Sequence, residues 1–263
     1  MPHTRSNLSR LAAPWLAGLL LAASLGGQTP SRPKGQPGLK VGVGAEVLSR
    51  TILWDEEASR STLNSLLFCF QTEAEVRRGL ALTVQAGYAL SNFNGLIFRA
   101  LPFSVEYQDG AKGGIFLGCG LRARLVPSQT FELEVEAAWD IGLGFSNTWP
   151  VEGLAVDGTI EGKSTWTRLS AGPVLWYKGL AYYVYPYLKV QYNRLWGSFR
   201  LTETIETLEG MEDKKITGSG PVSISLGVLS EMTEAVGLRA EVTFIPRRGG
   251  VDLGAAGRLV FSF

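Results

Sequence analysis

The residues best suited to chemistry are a run of carboxylates, Glu132, Glu134, Glu136 and Asp140, preceded by two arginines, Arg122 and Arg124. Paired carboxylates serve as general acid and base when their surroundings push their proton affinities apart. Here each has a basic residue close in sequence, so ion pairing is the simpler expectation. Lys189, Arg239 and Glu241 belong to the same class of strand-borne charge. The chain's single histidine is His3, at the extreme N-terminus, which leaves the remainder without the commonest general base. Gly162-Lys163-Ser164 resembles the end of a phosphate-binding loop, but Asp157 stands where that loop needs its first glycine. No spacing of Cys, His, Asp or Glu defines a metal site, and no cofactor is implied.

Those charges are positioned by strands. In Phe131 to Phe145 the odd positions read Phe, Leu, Val, Ala, Trp, Ile, Leu, Phe, and the even positions carry the carboxylates and two glycines. A helix would scatter the glutamates around its surface, whereas a strand collects them on one side. Ten such segments are predicted, at 39–54, 63–76, 80–94, 112–125, 130–146, 163–177, 181–202, 215–230, 235–246 and 251–263. Each is long enough to cross a membrane as a tilted strand. Short connections (Arg77–Gly79, Val126–Gln129, Lys178–Leu180, Glu231–Glu234) alternate with longer ones at 55–62, 95–111, 147–162 and 203–214, and a brief last one lies near Arg247–Gly250. Short turns at one end and long loops at the other are the pattern of an outer-membrane barrel.

Bulk composition agrees. The 263 residues carry 25 basic and 24 acidic side chains, which gives no nucleic-acid footprint. Beyond the N-terminus no apolar run approaches the length of a spanning helix, and a membrane protein without such helices must close a barrel to satisfy its backbone. Arg5 and Arg10, the apolar run Leu11–Leu25 and the small residues around Gly26 read as a cleavable signal peptide over 1–26. A Pro/Gly-rich lead-in at 27–38 and a barrel at 39–263 are expected to follow. Alternation alone does not say whether the apolar stripe faces lipid or a soluble core. Aromatics near strand ends, such as Tyr182 and Tyr192, and glycines on the opposite face favour lipid. Cys69 and Cys119 fall on opposite faces of non-neighbouring strands, so free thiols are expected.

The alternating strands, the N-terminal leader and the final Gly257-Arg-Leu-Val-Phe-Ser-Phe263 resemble the small bacterial outer-membrane barrels of eight to ten strands, such as the membrane domain of outer-membrane protein A. The resemblance is architectural and spans about 39–263. It implies an all-β, antiparallel up-and-down barrel of about ten strands, eight being the alternative, in the outer membrane. It implies that Leu259, Phe261 and Phe263 are read by the barrel-assembly machinery, and that outer-membrane lipid and lipopolysaccharide surround the product. Barrels of this kind that act as enzymes generally rely on a histidine, so no enzyme activity is expected.

On that architecture Arg122, Arg124, Glu132, Glu134, Glu136, Asp140, Lys189, Arg239 and Glu241 point into the lumen. Counting across the Val126–Gln129 turn pairs Arg124 with Glu132 and Arg122 with Glu134. A lumen plugged by salt bridges, with a structural or surface-interaction role, is the first expectation, because unpaired charge in a narrow interior is costly. A narrow, weakly selective pore lined by the same residues is the alternative. Inward glycines leave room for Phe116, Tyr183, Tyr185 and Tyr187. Loop 95–111, with Leu96, Ile97, Phe98, Leu101 and Phe103, and acidic loop 203–214 are expected to be solvated tips.

Overall fold

The computed structural model describes residues 38–54, 59–99, 101, 105–107, 110–150, 158–180 and 183–263. The predicted leader, and all of the lead-in except Gly38, lie outside the described residues, as do Phe103 and Tyr182. In chain order the strands are β1 (Leu39–Trp54), β2 (Ser59–Arg77), β3 (Leu80–Asn94), β4 (Leu96–Phe98), β5 (Val105–Tyr107), β6 (Lys112–Pro127), β7 (Phe131–Gly144), β8 (Asn147–Pro150), β9 (Gly158–Tyr177), β10 (Val184–Ile205), β11 (Leu208–Gly218), β12 (Val222–Glu231), β13 (Val236–Arg247) and β14 (Gly250–Ser262).

The wall runs β1-β2-β3-β6-β7-β9-β10-β12-β13-β14 and returns to β1, a closed antiparallel ring of ten. Closure is extensive, from Lys40↔Ser262 to Ser49↔Leu253, and the Phe263 amide donates to the Leu39 carbonyl at 2.9 Å. Full closure leaves no unpaired edge in the wall, which is what lipid demands of a sheet. Both ends of the wall lie at the short-turn end.

One predicted strand is corrected. The segment 215–230 is two strands, β11 and β12, stacked end to end along β10: residues 184–192 of β10 pair with β12 and residues 196–205 with β11. The break falls at Ser219-Gly220-Pro221. Gly220 has φ +77°, and a Cβ there would lie 2.4 Å from the Pro246 carbonyl oxygen. Pro221 has no amide to give the ladder. Consequently 203–214 is not a loop but most of the β10–β11 hairpin, turning at Glu206-Thr207. The free side of β11 then pairs with the top of β1 (Ile52↔Gly218, Leu53↔Thr217), above the tight β13–β14 turn. The ring therefore narrows at the long-loop end as β13 and β14 drop out.

Arg50 fills the corner where the wall changes partners. Fully buried, it donates to Asn193 Oδ1 at 2.6 Å, to the Gly220 carbonyl at 2.7 Å, and to the Ser219 and Asn193 carbonyls, both at 3.2 Å. Beside it Asp252 accepts from the Thr51 amide (2.7 Å), the Thr51 hydroxyl (2.8 Å) and Arg247 Nε (2.7 Å). Carbonyls freed by the strand switch are thereby satisfied by the Arg50 guanidinium.

The predicted apolar stripe faces outward. Val43, Phe70, Val84, Leu117, Trp139, Val190, Leu226 and Leu253 are among its exposed members. Cys119 lies on that outer face and Cys69 is buried inside, both as free thiols.

Candidate functional site

The interior is stratified from the short-turn end to the long-loop end. At the short-turn rim Glu132 holds both Arg124 and Lys178. Just inside, Arg122 is paired with Glu73 and comes within 3.9 Å of Glu134 Oε2, which also accepts from the Trp176 indole N–H at 2.7 Å. Trp176, Tyr187 and Val174 form a small apolar cluster there, with the Trp176 and Tyr187 rings 4.4 Å apart. Tyr187 needs the space over Gly227, where a Cβ would stand 2.2 Å from its ring.

At mid-height lies the main ion-pair layer. Arg168 donates from Nε and Nη2 to Asp140 at 2.9 and 2.8 Å and also holds Glu46, while Gln85 donates to the other Asp140 oxygen at 2.6 Å. Lys189 sits between Glu136 (2.9 Å) and Glu241 (3.0 Å). Tyr187 donates to Glu241 at 2.6 Å and accepts from Arg239 Nε at 2.8 Å. A cavity of about 150 Å³ is lined by this layer, with five cationic and five anionic side chains. In a low-dielectric interior such balance is what keeps charge tolerable.

The register of the β6–β7 hairpin differs from the predicted one. Arg122 stands opposite Glu136 and Arg124 opposite Glu134, with a bulge between Arg124 and Val126. Beside the turn Pro127 stands opposite Glu132, three positions from the predicted register, and the one-residue bulge takes back one, which leaves an offset of two. Arg124 reaches Glu132, and Arg122 approaches Glu134, along diagonals of the sheet.

Above the ion pairs the interior becomes apolar, and this layer is absent from the sequence reading. Leu48, Ile52, Leu63, Leu67, Phe93, Phe116, Trp166, Leu195, Phe199, Leu201 and Ile216 are all buried inside the wall. Trp166 lies over Gly142, where a Cβ would meet its ring at 2.4 Å. Loop 95–111 contributes the lid. Contrary to the solvated tip expected, Leu96 and Phe98 are fully buried, as is nearly all of Leu101. Phe199 packs against Phe93 (5.4 Å) and Phe98 (5.7 Å). Hairpin 203–214 is likewise not a plain acidic tip: Glu203 is buried, and Lys214 pairs with Glu212 at 2.7 Å under the Trp54 ring.

A signal for this layer does exist in the sequence. Along β10 the outward apolar residues Leu188, Val190 and Tyr192 are even-numbered, whereas the buried Leu195, Phe199, Leu201 and Ile205 are odd-numbered. The strand has no bulge there, so the apolar set has moved from the outer to the inner face. Strands β1 and β2 make the same exchange, from Val43 and Val47 to Ile52 and Trp54, and from Phe70 and Phe68 to Leu67 and Leu63. Above the exchange, Arg194, Arg200, Lys163 and Lys215 point outward.

Among the described residues no other functional constellation appears. Lys163 is exposed and Ser164 buried on a regular stretch of β9, so Gly162-Lys163-Ser164 forms no phosphate loop. Among the described residues no group of three His, Cys, Asp or Glu side chains is placed to hold a metal ion. Leu259 and Phe261 face outward on β14 and Phe263 ends the wall, 75% exposed.

No family model matches the chain, and no curated protein sequence matches it. Solved structures do. The outer membrane protease OmpT from Escherichia coli aligns with 90% of this chain and 100% of its own, at 8% identity and a TM-score of 0.53. An outer membrane channel from Pseudomonas putida F1 aligns with 90% of this chain and 99% of its own, at 12% identity and a TM-score of 0.38. Ail, the attachment invasion locus protein of Yersinia pestis, aligns with 87% and 100%, at 10% identity and a TM-score of 0.33. The chain has the fold of the bacterial outer-membrane β-barrels.

Proposed function

We propose that this protein is a closed, non-conducting barrel of the bacterial outer membrane, exported by its N-terminal leader, with a structural or surface-interaction role. The carrying observation is the exchange of the apolar set between faces along β1, β2 and β10. A wall that is apolar outside at one height and apolar inside above it fits lipid below and water above. The same exchange seals the lumen. The short-turn end, where both ends of the wall lie, is assigned to the periplasm and the long-loop end to the cell surface. Strands β9 and β10, of 20 and 22 residues, exceed the roughly ten that cross the apolar band. Their upper parts supply a rigid exposed hairpin pair on which recognition can be built.

A protease-like activity is not part of the reading. The described carboxylates of the ion-pair layer are each held by a cation, below an apolar seal. The proposal is tested in two steps. The chain should fractionate with outer membrane and migrate differently on gels with and without heating; a soluble product with unchanged migration refutes the placement. In planar bilayers the folded protein should give no reproducible steps, and replacing Leu96 and Phe98 by serine should introduce them. Steps from the wild type, altered by Arg122→Gln, refute the closed lumen in favour of a narrow pore.

A further inference from the structure

Two arginines face each other across the β13–β14 pair. Arg239 is the register partner of Arg258, and both point inward. Like charges directly opposite in an antiparallel pair are destabilising, so their company needs a reason. Arg239 donates through Nε to the Tyr187 hydroxyl at 2.8 Å, and its guanidinium lies over the Tyr187 and Trp176 rings at 4.7 and 5.6 Å. Its Nη2 is buried and makes no hydrogen bond. The nearest carboxylates, Glu241 at 3.6 Å and Glu136 at 3.7 Å, are both closer to Lys189. Arg258 donates to the neutral Gln71 amide oxygen at 2.8 Å, and its carboxylate, Glu46, is 3.9 Å away and held by Arg168.

These two guanidinium groups share a second cavity, of about 50 Å³, at the short-turn end. Its other charged lining residues are Lys40, Arg122 and Glu73. Glu73 is already shared between Arg122 and Lys40, the latter at 3.5 Å. Four cations and one carboxylate therefore line this cavity, of which Arg122, Arg239, Arg258 and Glu73 also line the balanced cavity above. Each cation has a carboxylate within 4 Å, but those of Arg239 and Arg258 are shared with Lys189 and Arg168, so a locally cationic lining gains when a counter-charge joins it. Guanidinium groups present forked donors that match the oxygens of a tetrahedral anion.

We propose that this cavity is a binding site for a small inorganic oxyanion of the phosphate or sulfate type, held between Arg239 and Arg258 with Lys40 at the entrance. The wall around it is continuous strand, so the ligand arrives as a free ion and not as a lipid headgroup. The site does not depend on whether the barrel conducts. It stabilises the like-charged pair and couples the fold at its closing seam, β13–β14–β1, to the anion.

The test uses the whole folded barrel in zwitterionic detergent micelles. Sodium phosphate and sodium sulfate are titrated against sodium chloride at matched ionic strength, with heat and tryptophan emission as readouts, Trp176 being part of the cavity lining. The expected result is saturable binding of either oxyanion, absent with chloride. Arg258→Gln should weaken it about tenfold, the scale of one charge-assisted bidentate contact. Arg200→Gln, on the outer face of β10, should leave it unchanged. If Arg258→Gln does not fold, Lys40→Gln at the partly exposed entrance should still weaken binding about threefold. Absence of saturable binding, equal response to chloride, or unaltered affinity in the variant that folds overturns the proposal.

Discussion

Replacing Arg168 with methionine isolates the energetics of the interior. Arg168 is 12% exposed as a side chain and is bound to Asp140, which is 2% exposed, and to Glu46, which is 15% exposed. Methionine fills much of the same volume but withdraws the charge. Asp140 would retain only the Gln85 amide at 2.6 Å, and Glu46 only Arg258 at 3.9 Å. Removing one partner of a buried pair costs about 3–5 kcal/mol, because the remaining charge stays desolvated. Two carboxylates are stranded here, but the adjoining cavity admits water to soften the penalty. A loss of about 4 kcal/mol is expected. The triple change Arg168→Met, Glu46→Gln, Asp140→Asn removes the stranded charge as well, and should recover most of that loss, since a buried ion pair replaced as a unit is often neutral. Both variants can be followed by urea unfolding in lipid vesicles, with tryptophan emission and heat-dependent migration as independent probes. A single variant within about 1 kcal/mol of wild type, or a triple variant no more stable than the single one, would refute the view that these charges are held by mutual neutralisation.

Three further outcomes follow from particular contacts. Arg50→Met strands four acceptors at the strand switch and should cost at least about 3 kcal/mol, with faster amide exchange over 50–53 and 217–222; unchanged exchange there would disprove the corner's role. Gly142→Ala places a methyl 2.4 Å from the Trp166 ring and should cost about 1–3 kcal/mol with a shifted emission maximum; an unperturbed spectrum would count against the packing. An apolar maleimide should label Cys119 in the folded barrel and Cys69 only after unfolding, with gel migration indifferent to reductant.

The strand pattern was legible because one constraint governs most of the wall. Lipid requires the outward positions to be apolar over a fixed height, so the alternation of Phe131 to Phe145 reads as strand and not helix, and aromatics at strand ends with glycines opposite turn the apolar face to lipid. The face carrying Glu136, Asp140, Lys189 and Glu241 could be read for the same reason. Pairing within that face could not, since the turn sets Pro127 opposite Glu132 and the bulge at Arg124/Val126 then shifts the register by one, neither of which alternation encodes. The strand switch was lost because Val222 continues the alternation broken at Gly220-Pro221, so the two strands read as one. The burial of loop 95–111 is not legible in the sequence, because an apolar loop and a solvated one differ only in what lies beneath. Beneath it are Phe93 and Phe199, both on strands whose apolar phase has already reversed.

That reversal links the three interior layers to a single physical cause. Below it the outer face is committed to lipid, and the inner face is left for side chains that can balance one another, Arg168 against Asp140 and Lys189 against Glu136 and Glu241. Above it water takes the outer face, Arg194 and Arg200 turn outward, and the apolar residues must go inside. A wall ten strands around would leave a wide mouth for them to fill. Dropping β13 and β14 from the upper ring narrows it, and folding Leu96 and Phe98 inward completes the filling. The Gly220-Pro221 break, the Arg50 corner and the buried loop are thus one solution: they convert a lipid-facing barrel into a water-facing one within the length of a strand.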